Sequence, residues 1–484
     1  ILAEIGEPWR GARPDEDEEE TGPFEASSVK EYEAEVDEVL DQLDVGSVGE
    51  SDEGLGGEAE LALDEELIDE GTPEIAQPAS EIEISRPRLD PREERGELPV
   101  LIDAFIHKGN TMAYIIFSTK SMQKLEDVYT KLARNTWRCT WHSDGEPTRT
   151  MGPSTGVAVH LQRKGDSDME DALRKTLVVR CKVPKGKLKN AVVDLSATDV
   201  QGGHQFKRDQ IRIRSEPLFS DSQTALCTMV IKDAVASPYL HSWVKYHLNF
   251  GFDQILVYIE DRDASWAREV LRPYMDTGRV RLVHFYFGSL SDKRSFYLQQ
   301  AQEQHCLYAS KGRVAWLGHS DIDEYFQLRD PLKRIKGLLG EMSNQADGYI
   351  AAVSVQSQFW FFGSNEKCTD ARFLPCDMTC KLNGYTTDRT KLILNPEIVD
   401  YYSVHLLTKY HGQVYKAHPD LEIRLNHFKF LPNGTARSGE ECTDDLTWKN
   451  ACRDSLEHQQ NVLEGSLCHP SLGSHTSLGK KAHR

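Results

Sequence analysis

The chain has 484 residues and a formal net charge of −20; it is too long for one compact core, so two or three domains are expected. The charge is uneven: residues 1–97 hold 33 Asp and Glu against 7 Lys and Arg, while 98–484 hold 44 against 50. That mildly basic remainder has no Lys/Arg stripe interleaved with aromatics, which argues against nucleic acid as a partner. No run of about 18 apolar residues spans a bilayer, and no signal peptide is visible.

The N-terminal 97 residues, with Asp15-Glu-Asp-Glu-Glu-Glu20 and Ser51-Asp-Glu-Gly-Leu-Gly-Gly57, are poor in aromatics. Such a segment cannot bury enough apolar surface to offset its ordering entropy, so 1–97 reads as a disordered acidic tail. A short apolar patch around Leu40 and Leu43 can form a transient helix for a partner whose nature the sequence leaves unknown.

From 98 to 216 short β-branched and aromatic runs alternate with turn residues: Leu98 to Phe105, Met112 to Phe117, Val157 to Leu161, Leu177 to Val183 and Ala191 to Leu195. This pattern predicts a small β-sandwich accessory domain. The ten cysteines lack the paired spacing of a zinc site, because Cys376-x-x-x-Cys380 has no matching second pair. Cys227 and Cys306 fall inside apolar patterns and read as buried thiols. Cys139 with Cys181, and a pairing among Cys368, Cys376 and Cys380, are candidate bridges in an oxidising compartment. The sequon Asn433-Gly-Thr435 points the same way.

After Pro217 the pattern becomes strand and helix in alternation. Leu226 to Lys232 reads as a buried strand. Ser237-Pro238 opens a helix that Gly251 stops, since Ser caps and Pro is tolerated at the first helical position. Gln254 to Glu260 is a second strand, a helix occupies about 264–274, Val280 to Phe287 is a third strand, and a long helix over about 292–310 ends at Gly312. The fourth strand runs into Asp321-Ile-Asp323. Such alternation builds a parallel sheet with right-handed crossovers, whose ligands lie outside the carboxyl ends of the strands.

The Asp pair therefore stands where a ligand is expected. In an extended segment, side chains two positions apart share a side, so Asp321 and Asp323 can address one cation. Hard oxygen ligands suit Mn²⁺ or Mg²⁺, which usually completes its shell from a substrate's phosphates. Asp-x-Asp alone is short and common on solvated turns; its position here gives it weight. A calcium loop is excluded, because the 12-residue spacing with a central glycine and closing glutamate is missing.

Over about 226–430 the chain resembles glycosyltransferase family 92. The matching pieces are Tyr239-Leu-His-Ser-Trp-Val-Lys-Tyr-His247 with Gly251, Tyr258 and the Asp-rich loop after it, Gln300 to Cys306, Trp316 through Asp321-Ile-Asp-Glu-Tyr-Phe326, Phe361-Phe-Gly-Ser364, Lys391-Leu-Ile-Leu-Asn-Pro396, His405 and Leu425-Asn-His-Phe428. Trp137-Arg-Cys139 and Val179-Arg-Cys181-Lys-Val-Pro184 resemble the region that precedes the catalytic domain in that family. The resemblance implies an α/β GT-A fold, Rossmann-like with a mostly parallel sheet, over 217–435, then a helical or disordered extension over 436–484. It also implies inverting, β-linked transfer of a hexose, galactose from UDP-galactose above all, to a glycan acceptor. The same resemblance implies Mn²⁺ as cofactor and a Golgi location, type II with a membrane anchor ahead of Ile1. The first loop of the family commonly reads Lys-Asn-Glu; here it is Lys232-Asp233-Ala234. That departure raises the alternative of a catalytically inactive, glycan-binding member.

Within this frame Asp323 is the expected metal ligand, Asp321 contacts the metal through water or the donor ribose, and His427 is the third ligand with His405 as runner-up. Lys232, Asp233 and Asp261 sit on the converging loops and are expected at the donor; Arg389 and Lys391 are expected at the diphosphate or as solvated charges. An inverting transfer needs a carboxylate base, for which Asp377 and then Glu366 are the candidates. Trp360 is expected to stack on an acceptor sugar or to pack in the core.

Overall fold

In the computed structural model the described residues run from 81 to 444, apart from 95–98, 119–136, 143–149, 160–175, 185–190, 199–204, 232–236, 293–296, 346–349, 362–379, 429–441 and a few single positions. The chain divides into two units, Ile1–Glu74 and Ile75–Arg484. The first unit lies outside the described residues; every described element belongs to the second.

The acidic N-terminal segment is not featureless throughout. Glu81–Glu83 (β1) pairs in parallel with a strand of the main sheet, and Pro91–Glu94 forms one helical turn, α1. Ile82, Ile84 and Leu89 are buried in the core. Arg86 holds Glu93 through two bonds of 3.0 and 2.9 Å, and Arg268 holds Glu81 at 2.7 Å. The expectation of disorder to residue 97 is corrected here. Average composition hid the Glu-Ile-Glu-Ile alternation, which places two isoleucines on one face of an edge strand.

Seven strands come next: β2 (Val100–Ile106), β3 (Met112–Ser118), β4 (Trp137–His142), β5 (Thr150–Val159), β6 (Thr176–Lys182), β7 (Val192–Thr198) and β8 (Gln205–Arg212). They form one antiparallel sheet in the order β2-β3-β6-β5-β4-β7-β8. A parallel bridge from Phe105 to Arg214 returns the chain after β8 to β2, so the sheet curls around its own core of Phe117, Trp137, Trp141 and Phe206. The expected two-layer sandwich is thus replaced by one continuous sheet. The alternation of apolar residues was real, but period-two patterning does not say whether strands pair around a curve or face one another. Cys139 and Cys181 are disulfide-bonded inside this core.

The second sheet contains the elements that position the site. In chain order they are β9 (Ser222–Thr228), α2 (Ser237–Phe250), β10 (Gln254–Ile259), α3 (Ser265–Met275), β11 (Val280–His284), α4 (Ser289–Asp292), α5 (Tyr297–Ser310), β12 (Val314–Ser320), β13 (Glu324–Leu328), α6 (Ile335–Gln345), β14 (Ile350–Phe361), β15 (Cys380–Leu382), β16 (Thr386–Leu394), β17 (Val399–Ser403), β18 (Leu406–Tyr410), β19 (Gln413–Lys416), β20 (Ile423–Phe428) and β21 (Cys442–Asp444). The strands β1, β11, β10, β9 and β12 lie side by side, all parallel. The β16 strand then pairs antiparallel with β12, and β14 antiparallel with β16. The sheet is therefore mixed, with a parallel half that matches the expected alternation. The β17 and β18 strands pair separately, and β21 pairs with β15 where a helical or disordered extension was expected.

Two packing relationships set the frame. The helix α2 ends at Gly251, whose φ of +119° is the left-handed conformation glycine adopts without strain. Trp243 of α2 donates to the Glu324 carbonyl at 3.0 Å and Tyr246 to the Phe326 carbonyl at 2.6 Å, which pins β13. On the other face, α5 lies between the parallel strands and the curled sheet, where Leu298, Tyr308, Ile116 and Val178 share one buried cluster. Cys227 and Cys306 are not thiols but a disulfide joining β9 to α5. Burial in an apolar pattern is common to both forms, and only spatial pairing separates them. Among the described residues no helix is long and apolar enough to cross a membrane.

Candidate donor site at the end of the fourth parallel strand

The carboxyl ends of β9, β10 and β12 open on one edge of the sheet. β12 delivers Ser320, fully buried, and the chain then turns through Asp321, Ile322 and Asp323 into β13. The turn is closed twice: the Glu324 amide donates to the Asp321 carbonyl at 3.1 Å, and the Asp321 amide to Glu324 Oε2 at 2.9 Å.

The strand β20 brings the histidine. It runs antiparallel to β13 in a register that sets His427 opposite Glu324, and the Phe428 amide donates to the Asp323 carbonyl at 2.8 Å. His427 Nε2 is 3.4 Å from Asp323 Oδ2, and Nδ1 is 3.5 Å from Glu324 Oε1. The ring lies 4.7 Å from that of Phe359, tilted by 32°. Burial opposes the imidazolium, but the hydrogen bond to Asp323 and the nearby Glu324 and Asp321 carboxylates raise the His427 pKa above its ordinary value.

Lys391 comes from β16. Its side chain is 1 % exposed and its ammonium is 2.8 Å from Asp321 Oδ2 and 2.9 Å from Glu324 Oε2. Burial works against the Asp321 charge, but Lys391 holds this carboxyl below the usual carboxylate range. Glu324 is almost fully buried, and desolvation, with the like charges of Asp321 and Asp323, raises its pKa despite the same lysine. Asp321 itself remains 41 % exposed.

Of the expected site residues, the structure brings together Asp321, Asp323, His427 and Lys391. Lys391 faces the turn from within, so the expectation of a solvated charge is corrected to a buried ion pair. Arg389, two positions earlier, is exposed. Asp261 lies at the carboxyl end of β10, where its Oδ2 accepts the Trp266 indole N–H at 3.3 Å. Trp360 is fully buried. Its indole N–H donates to Asn426 Oδ1 at 2.8 Å and its ring stacks on Phe428, so it is a core residue and presents no face to a sugar. His405 bonds the Thr390 carbonyl at 2.8 Å, and burial and Lys391 lower its pKa; this is packing against β16. Lys232, Asp233, Glu366 and Asp377 lie outside the described residues.

Sequence reasoning missed the support given by His319. His319 is buried on β12 between the Tyr402 hydroxyl at 2.9 Å and the Thr228 carbonyl at 3.1 Å. Burial depresses its pKa to about 3, which leaves the imidazole neutral. The only signal for it was a polar residue inside an apolar strand.

The donor set suits a hard divalent ion: the Asp323 carboxylate and the His427 imidazole are adjacent, and Asp321 is exposed beside them. Among the described residues no three His, Cys, Asp or Glu side chains are already grouped as a metal cage. One oxygen of Asp321 is committed to Lys391. Ions bound through one or two carboxylates plus substrate phosphates do not need a full protein cage.

The family model of glycosyltransferase family 92 matches residues 223–465, half of the chain. A glycosyltransferase family 92 protein of Ricinus communis is 27 % identical over 217 residues, which cover 42 % of this chain and 34 % of the relative. One from Oryza sativa subsp. japonica is 22 % identical over 216 residues, covering 42 % and 33 %. The chain thus spans about a third of the length of these curated relatives. Among solved structures, the apo structure of the bifunctional glycosyltransferase WbbM aligns at 13 % identity and a TM-score of 0.19, covering 32 % of this chain and 28 % of that one; a score this low carries no argument about fold.

Proposed function

We propose that this chain, which belongs to glycosyltransferase family 92, transfers a hexose, galactose from UDP-galactose, to a glycan acceptor with inversion and a β-linkage. The observation that carries this reading is the meeting of Asp323 and His427, 3.4 Å apart, at the carboxyl edge of a parallel sheet. Sheets of this kind bind nucleotides on that edge, and breaking the bond to UDP requires negative charge on the leaving diphosphate to be stabilised.

Asp323 and His427 are the groups that would hold Mn²⁺ or Mg²⁺, with Asp321 alongside. When bound, the ion supplies Lewis-acid neutralisation of the diphosphate. The chain itself contributes orientation. Trp243 and Tyr246 fix β13, β20 fixes His427 against it, and Asp261 stands at the end of β10, separated from β12 by β9, for donor contact. The base that takes the acceptor hydroxyl proton is assigned to Asp377, with Glu366 second, on the segment after the aromatic end of β14. Two buried disulfides support an oxidising compartment such as the Golgi lumen.

A panel of UDP-sugars assayed for UDP release, with and without Mn²⁺, tests the reading. Turnover of one UDP-hexose that needs the ion and is lost in Asp323→Ala is expected. Donor binding without turnover for any sugar would instead favour the inactive member suggested by Lys232-Asp233-Ala234.

A further inference from the structure

Three carboxylates crowd the four-residue turn from Asp321 to Glu324. Like charges this close raise one another's pKa or push the segment open unless a cation is present. The chain supplies its own. Lys391 is paired at 2.8 Å with Asp321 and at 2.9 Å with Glu324, and the Glu324 oxygen that meets it also accepts the Asp321 amide. The antiparallel register that pairs Gly318 with Ile393 carries Lys391 to the level of Ser320, at the very start of the turn.

The chemistry of the residue fits the place. An ammonium is a compact point charge able to sit between two carboxylates converging from different directions, whereas a guanidinium demands a planar, forked partner. Its burial excludes it from bulk solvent, so the pairing is little screened. With Asp321 and Glu324 engaged by the lysine, Asp323 is left to His427, 3.4 Å away.

We propose that Lys391 is a positioning residue whose buried ammonium forms the Asp321–Glu324 turn from within, so that the divalent ion and nucleotide-sugar meet a turn already folded. This rests on the proposed donor site. A lysine that contacted the diphosphate directly would need access that Lys391 does not have.

The test uses the full chain. The double variant Lys391→Met/Glu324→Gln removes one positive and one negative charge, so the net charge near the ion is kept, and an ion pair replaced by groups of similar volume need not destabilise a protein. Amide hydrogen exchange of the peptide spanning the turn is measured in metal-free protein, and Mn²⁺ binding is titrated by electron paramagnetic resonance. The expected result is exchange at the turn about tenfold faster than in the parent chain, with global unfolding little changed and Mn²⁺ bound about tenfold more weakly. Turn exchange within about twofold of the parent overturns the proposal. If the double variant does not fold, Asp321→Asn, at a well-exposed carboxylate, is measured in the same way; unchanged turn exchange there overturns it equally. Failure of the parent chain to bind Mn²⁺ would count against the metal reading, while the exchange comparison still decides the role of Lys391.

Discussion

Cys227, in β9 of the parallel sheet, is disulfide-bonded to Cys306, in the helix packed across that sheet, 79 residues further along the chain. Both are fully buried. The bond ties β9 to the helix that precedes the Asp321 turn. Closing a loop of that length restricts the unfolded chain, and the entropy model gives about 4 kcal/mol. Cys227→Ala/Cys306→Ala is therefore expected to lose about that much unfolding free energy in a denaturant titration. Because the sulfurs are inaccessible, reductant should cleave the bond only in denaturant. A double variant as stable as the parent would contradict the structural role.

A second connection joins the curled sheet to the parallel one through Asp103. Its Oδ2 is 3.1 Å from His305 Nε2 and 3.1 Å from Arg214 Nε, while His305 Nδ1 is 2.9 Å from the Tyr258 hydroxyl. Burial opposes the Asp103 charge, but His305 and Arg214 outweigh it and lower its pKa below 3.8. The unfolded state thus binds the proton more readily. The stabilisation is fully present above the unfolded value and is lost as pH falls through the lower folded one. Asp103→Asn is expected to cost about 3 kcal/mol near neutral pH, with the gap to the parent chain closing in strong acid. Chemical denaturation across a pH series measures it, and a gap independent of pH would refute the assignment.

Gly318 on β12 packs against Leu226 and Phe252 with no room for a side chain. A Cβ there would lie 2.9 Å from Leu226 Cδ1 and 3.1 Å from Phe252 Cζ. Gly318→Val is expected to cost about 1–3 kcal/mol through overpacking. Adding Leu226→Ala should recover part of it, because the two positions share one space. Strict additivity of the two substitutions, measured by thermal unfolding, would rule out the contact.

The buried Ile82 and Ile84 make residues 81–94 part of the folded unit. A chain beginning at residue 75 and one beginning at 95 should differ by about 3 kcal/mol in unfolding free energy, apolar burial being partly offset by ordering entropy. Equal stability of the two would show that β1 is dispensable.

The alternation of buried strands and helices from Leu226 to Ser320 was readable because a strand covered on both faces is apolar throughout, and Ser237-Pro238 and Gly251 punctuate one helix at both ends. The Asp321–Asp323 position could be inferred from that order. What the sequence hid depends on pairing between distant segments. Lys391 looks like any charge on a strand until β16 is laid beside β12, and Trp360 looks like a sugar platform until β20 covers it. The Glu81 to Ile84 alternation was lost in the acidity around it, and the curl of the N-terminal sheet depends on a bridge between Phe105 and Arg214 that no local pattern encodes.

The turn carrying Asp321 and Asp323 is proposed to bind a nucleotide through a divalent ion. Isothermal titration of UDP into the parent chain, Asp323→Ala and His427→Ala, with and without Mn²⁺, tests it most directly. UDP binding that needs Mn²⁺ is expected in the parent chain, weakened at least about tenfold, roughly 1.4 kcal/mol, in each variant while both remain folded. Binding of UDP that is indifferent to Mn²⁺ and to both substitutions would contradict it.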